Sequence, residues 1–463
     1  MVQAALAQAP LAQAPLTWSQ IVRLGLVQTA LGAIVVLTTS TVNRIMVIEL
    51  ALPAMLPGAL VGWHYALQML RPRWGFGADQ GWRITPWIIG GMAVLAIGGS
   101  LAALSTALMA ASLPLGIAVA IAAFTLIGAG VGAAGTSLLA LLAKRVAPQR
   151  RPAAATIVWI MMIAGFAVTG ITAGALLDPF SLERLVLVAT GISLVALVVA
   201  VVAVIGIEGP AAAREAVPAA QAAPADGRGS FLAALAEVWA EPKARLFTIF
   251  IFVSMLAFSG QDLILEPFAG LMYDLSPGET TRLSGIQNGG VLAGMVTVAV
   301  LGTLLREDGA GSPKLWTILG CIASAFALAG IAVSGVLAPA WPIRLNIFLL
   351  GYANGAYAGA AIGSMMALAG TGAERREGTR MGVWGASQAI AFGIGGFLGT
   401  VAVDVLRWAT GSSLIAYGSV FVVEALLFGV AAVLALRIAR LSGEDPLPAP
   451  TRPESFALGA GGG

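Results

Sequence analysis

One cysteine and one histidine in 463 residues close off several kinds of chemistry before any pattern is read. Cys321 has no second thiol, so no internal disulfide forms. Cys321 and His64 together cannot supply the four ligands of a structural zinc site, nor a Cys–His catalytic pair with a third, orienting group. No metal or nucleotide site is predicted. Charge is also scarce: Asp, Glu, Lys and Arg make up 10% of the chain, against about 25% in a soluble domain. The net charge of +3 does not indicate nucleic acid, because the basic residues are dispersed rather than gathered in a groove. No pair of groups suited to nucleophilic, sugar-cleaving or nucleotide chemistry stands out, so the chain is not expected to be an enzyme.

What is abundant is apolar surface. Hydrophobic residues are 59% of the chain and glycines number 58, a composition that suits lipid as the outer solvent and close helix packing within it. Apolar runs of about 20 residues, the length of a span, fall near 22–42, 48–70, 84–106, 114–143, 153–177 and 185–207. A second set falls near 245–266, 283–305, 315–337, 341–369, 381–403 and 412–436. The expected fold is an all-α integral membrane protein of twelve transmembrane helices in two six-helix halves, 21–207 and 244–440. Residues 1–20, with the tandem LAQAP, lack a basic leader and read as a disordered segment. The Pro/Ala-rich stretch 208–243 reads as a linker with a short amphipathic piece around Phe231–Trp239, and 441–463 reads as a loose tail.

Twenty of the 25 Lys and Arg lie in alternate loops. Arg44, Arg184, Arg282, Arg344 and Arg407 occupy the other side. The positive-inside rule therefore puts both termini and the linker in the cytoplasm. Arg150-Arg151, Trp159, Gly170 and Gly174 recur at an offset of 225 as Arg375-Arg376, Trp384, Gly395 and Gly399. Parallel six-span halves are the plan of the major facilitator superfamily. Gly75, Asp79 and Arg83, between spans 2 and 3, resemble that superfamily's cytoplasmic gate loop. Trp82 stands where a Gly belongs and Ile84 where a second base belongs.

Polar residues at membrane depth are few. Gln261, Asp262 and Glu266 stand at the end of an apolar run ahead of Pro267. Asp262 and Glu266 are four apart, on one helix face. Asn43, Arg44 and Glu49, ahead of Pro53, form a comparable set at the first corner. Such groups tend to be paired and functional.

The strings QDLILEPFAG (261–270), GETTRLSGI (278–286), TVNRIMVIELALPAMLPGALVGWHYALQMLRPRWG (41–75) and RITPWIIGG (83–91) resemble the PucC/LhaA family. This is the bacteriochlorophyll-delivery branch of the major facilitator superfamily, and the first-half segment is most similar to its LhaA members. The resemblance, over roughly 20–440, implies an assembly factor for light-harvesting complexes, light-harvesting 1 above all. It also implies a place in the intracytoplasmic photosynthetic membrane of a bacterium. The implied partners are bacteriochlorophyll, antenna polypeptides, the lipid bilayer and pigment-synthesis enzymes.

Given such a pigment, His64 is a candidate axial ligand for its magnesium, with Gln68 one turn on; helix–helix hydrogen bonding is the plainer role. The Gly351–Gly359 face admits a flat macrocycle, a partner helix or internal packing. The Asp262/Glu266 pair has three readings: anchors at the periplasmic surface, members of a network with Arg44 and Glu49 that locks the halves, or protonatable groups of a secondary transporter. Trp74, Trp82, Trp87, Trp341 and Trp408 read as an interfacial belt.

Overall fold

The computed structural model describes residues 15–69, 83–147, 150–208, 239–305, 311–369 and 377–441, and all regular elements among them are helical. In chain order they are α1 Trp18–Ile48, α2 Met55–Gln68, α3 Thr85–Ala111, α4 Leu113–Arg145, α5 Arg151–Leu176 and α6 Leu182–Val204. There follow α7 Pro242–Tyr273, α8 Pro277–Leu304, α9 Pro313–Ser334, α10 Ile343–Ala369, α11 Glu377–Thr410 and α12 Ser413–Leu441. Ten of these are long and apolar enough to cross a bilayer. The described part of α2 is shorter, at 14 residues. This is the twelve-helix membrane architecture that the apolar runs predict. The gate-loop residues Gly75 and Asp79, the bulk of the linker and the tail lie outside the described residues, while Arg83 is described and exposed.

Helix starts follow local chemistry. Thr17 and Gln20 form a capping box on α1, and Ser276 and Glu279 form another on α8. Proline occupies the first turn of α3, α4, α7, α8 and α9, where its missing N–H costs nothing. Other starts take a carboxylate from a distant part of the chain. Glu208 accepts from the Ile84 and Thr85 amides at 2.9 and 2.8 Å. Asp404 accepts from Ala54 and Met55 at 3.1 and 2.7 Å.

The starts of α1 and α3 share one face with the ends of α4 and α6, since Leu16 N–H also donates to Arg145 C=O at 2.9 Å. That starting face also holds the start of α7 and the end of α12, which line one groove. The opposite face joins the end of α5 to the start of α8, and the end of α11 to the start of α2.

Helix partnerships recur six helices on. In the first half α1 packs on α5 and α6, α3 on α4 and α6, and α2 on α4. In the second, α7 packs on α11 and α12, α9 on α10 and α12, and α8 on α10. Of the two largest apolar clusters, one is built mainly from the first half and the other from the second. The halves meet through α5 on α8, α2 on α11, and α1 on α7.

The residue matches at offset 225 do not share environments. Trp159 is 39% exposed whereas Trp384 is buried against Phe247. Gly170 and Gly174 face α8 of the other half, whereas Gly395 and Gly399 face α7 of their own. A slip of one residue turns a helix by about 100°. Conserving the helix pairing therefore does not conserve the contact at each matched position.

Two boundaries differ from the sequence reading. The first run ends at 42 by composition, yet α1 continues through Thr41, Asn43 and Arg44 to Ile48, because these polar side chains find partners on α7, on α8 and in the turn between them. Likewise α7 runs to Tyr273, so Gln261, Asp262 and Glu266 lie inside it and Pro267 is internal. A left-handed residue closes each of these helices, Ala51 (φ 49°) after α1 and Asp274 (φ 53°) after α7.

Candidate functional site

A polar seam joins the halves where α1 crosses α7 and α8. Pro267 lacks an N–H and so leaves the carbonyl four residues back, on Leu263, without its helical donor. Asn43 Nδ2 donates to that carbonyl at 2.6 Å from the other half. Opposite it, α1 widens into a π-helical turn over Leu37–Thr41, an irregularity frequent at functional sites. The turn aims hydroxyls across the interface. Ser40 donates to a Glu266 carboxylate oxygen and lies 3.1 Å from the Ser284 hydroxyl; Thr41 and Thr281 hydroxyls are 3.0 Å apart.

Arg44 is 2% exposed, deep for an arginine. Its guanidinium pairs with Glu49 and donates to Leu275 C=O at 2.8 Å across the halves. Gly270 of α7 makes room for it, since a side chain there would press on the guanidinium. Asn43, Arg44, Glu49 and Glu266 are thus brought to one seam. Glu266 is hydrogen-bonded to Ser40 and makes no ion pair with Arg44 among the described residues.

Gln261 and Asp262 do not join that network. Gln261 is fully buried, and neither amide atom is hydrogen-bonded to a described residue. Asp262 is half-buried and makes no hydrogen bond or ion pair with a described residue. Glu424 of α12 is 4% exposed, and neither carboxylate oxygen is hydrogen-bonded to a described residue. It lies against Gly260, within electrostatic reach of Asp262. Asp262 and Glu424 both stand about 16 Å from the opposite-face ends of their helices, near the midplane of a core about 30 Å thick.

Further contacts flank the seam. Gly170 meets Gly285 and Gly174 meets Gly278, so the α5 and α8 backbones touch. Below them Asp178 accepts from Ser276 at 2.9 Å and pairs with Arg282 at 3.1 Å. On the other diagonal Gly58 packs on Thr400 above the Asp404 cap of α2.

His64 is 1% exposed, with Nε2 2.8 Å from Gln68 Nε2 and its ring edge-on to Tyr65. Its backbone carbonyl lies against Gly128 of α4, and the imidazole is buried in this arrangement of the helices. The Gly351–Gly359 face is filled as well. Gly351 and Gly355 lie on the Gln287 and Val291 carbonyls, and Gly290 and Gly294 of α8 lie reciprocally on α10. Internal packing is the outcome, not an open landing for a pigment.

Sequence reasoning missed Ser40, Ser284, Asp178, Asp404 and Glu424. Two signals were available: four hydroxyls in a row, Thr38 to Thr41, inside an apolar span, and a lone carboxylate inside the last apolar run.

The model of the family described as "PUCC protein" matches residues 41–442. The "Bacteriochlorophyll synthase 44.5 kDa chain" of Rhodobacter capsulatus is 50% identical, over 93% of this chain and 98% of its own length. "Protein PucC" of the same organism is 29% identical, over 92% and 93%. Among solved structures, a mutant of the peptide transporter POT aligns with TM-score 0.68 at 16% identity, covering 94% of this chain and 99% of its own. A bacterial homolog of the human lysosomal transporter Spinster gives 0.65 at 15%, covering 93% and 98%. These likenesses establish a major facilitator superfamily fold for a multi-pass membrane protein. By the extent of the family match and the full-length identity to the first relative, the chain belongs to the PUCC protein family.

Proposed function

We propose that this protein is a non-enzymatic assembly factor for light-harvesting complexes, light-harvesting 1 above all. In this reading it shields or hands over bacteriochlorophyll and newly inserted antenna polypeptides, in company with pigment-synthesis enzymes. It would reside in the intracytoplasmic membrane with both termini and the 208–243 linker in the cytoplasm. One observation carries the reading: half of the 431 aligned positions, nearly end to end, are shared with a relative named for bacteriochlorophyll. The seam supports it, because its polar side chains are engaged in holding helices together rather than in lining a reaction centre. That relative's name contains "synthase", so the non-enzymatic part is this proposal's own.

Deleting the gene and recording the membrane absorption spectrum tests it. Loss of the core antenna band with pigment synthesis intact is expected. An unchanged band, or a chain that purifies colourless and partnerless beside active pigment synthesis, would overturn it.

A second reading rests on Asp262 and Glu424. Two carboxyls near mid-membrane, without hydrogen-bond partners among the described residues, suit a proton-coupled secondary transporter. Solute uptake driven by a pH gradient in proteoliposomes, abolished by Asp262→Asn, would select this reading.

A further inference from the structure

At the starting face, a groove of about 400 Å³ lies between the first turn of α7 and the last turns of α12. It is lined by Pro242, Arg245, Leu246, Arg437, Arg440 and Leu441. Its three arginines make no side-chain hydrogen bond or ion pair with a described residue, and no carboxylate is among its described lining residues. The N-cap of α7, Glu241, gives no side-chain bond to the first-turn amides. Those amides have no intrahelical acceptor and carry the positive end of the helix dipole.

The first half shows what this place looks like when filled from within. α1 and α6 are the counterparts of α7 and α12, and there Arg23 of α1 donates to the Ala203 and Ile205 carbonyls at the end of α6. In the second half no described side chain fills the equivalent place, and three arginines surround it together with the start of α7, which has no side-chain cap. Arg440 sits in the last turn of α12, where it complements that end of the dipole. That role does not account for Arg245, on the other helix, or for the space between them.

Leu246, half-buried and one residue deeper along α7 than Arg245, gives the groove an apolar flank beside the charges, the order of groups met on passing from phosphate to acyl chain. Trp239, 47% exposed and just ahead of α7, suits the same depth. We propose that this groove binds the phosphate of an anionic phospholipid, held by forked hydrogen bonds from Arg245, Arg437 and Arg440 and by the start of α7.

The test uses the full chain in nanodiscs of phosphatidylcholine with and without phosphatidylglycerol. Native mass spectrometry reads which lipid is retained. Wild type is expected to keep at least one phosphatidylglycerol in preference to phosphatidylcholine. Arg245→Gln/Arg437→Gln/Arg440→Gln is expected to weaken that retention about 100-fold, at roughly fivefold per arginine. Arg440→Gln alone, losing about fivefold, serves if the triple variant does not fold. Arg83→Gln, an exposed cation elsewhere on the same face, should leave retention unchanged. The proposal fails if the triple and single variants hold phosphatidylglycerol as wild type does, or if Arg83→Gln weakens it equally. It also fails if inorganic phosphate in phosphatidylcholine discs displaces or replaces the lipid effect in full.

Discussion

Asn43 of α1 donates the hydrogen bond that Pro267 of α7 withholds from Leu263, at 2.6 Å and across the two halves. The proline breaks a bond within one half and the asparagine remakes it from the other. Beside it Ser40 holds Glu266, so the irregular turn of α1 and the proline-bearing turn of α7 complete one another.

The Asn43 contact predicts a dependence between two substitutions. Asn43→Leu should cost about 1–3 kcal/mol, because a buried carbonyl is left without a donor. Pro267→Ala restores the helical N–H, so Asn43→Leu should cost markedly less in that background. A double-mutant cycle on thermal unfolding in detergent reads the coupling; additive effects would show that the two sites are independent.

Ser40→Ala removes the hydroxyl bonded to Glu266. A loss of about 1–3 kcal/mol is expected, because a buried Glu266 oxygen loses its hydrogen-bond donor. Ser40→Thr, which keeps the hydroxyl, should recover most of it. Denaturant or thermal unfolding followed by intrinsic tryptophan fluorescence is a suitable measure.

The α5–α8 contact leaves no space at Gly285, where a Cβ would meet the backbone of Ile171 and Ala167. Gly285→Leu should therefore force the halves apart, costing about 1–3 kcal/mol or more by overpacking and lowering the yield of folded protein. Gly289→Ala on the same helix has nothing within reach of its new methyl and should be tolerated. Size-exclusion profiles of the two variants give the comparison.

His64 is closed in by α4 and already hydrogen-bonded with Gln68. His64→Leu is therefore expected to leave the core antenna band within about twofold of wild type, the loss of its hydrogen bond with Gln68 costing about 1 kcal/mol. Disappearance of the band, with the variant present at normal abundance by immunoblot, would instead make the imidazole a pigment ligand.

Ala51 holds a left-handed conformation, which costs an L-residue about 1–2 kcal/mol. Ala51→Gly should relieve part of that, net of the added freedom of the unfolded chain, and raise stability by about 0.5–1 kcal/mol. A melting temperature that falls on this substitution would show that the Ala51 methyl is needed for packing.

The membrane class and the twelve helices were legible in the sequence alone. Each depends on averages over about 20 residues, and hydropathy survives averaging. The sequence also marked Asn43, Arg44, Glu49, Gln261, Asp262 and Glu266, because a charge or amide among apolar neighbours is conspicuous without any contact being known. Only the tertiary structure decided which of them meet. Asn43 and Leu263 come together through a crossing of α1 over α7 in which a one-residue rotation would turn either side chain away from the other. Glu266 chose Ser40 over Arg44, while Asp262, one turn away, found no hydrogen-bond partner among the described residues. The glycines at 351 and 355 looked like free surface in the sequence and proved to be the landing for α8. Whether a bare backbone faces lipid or a neighbouring helix depends on which helix lies opposite, and that is set by the packing of the whole bundle.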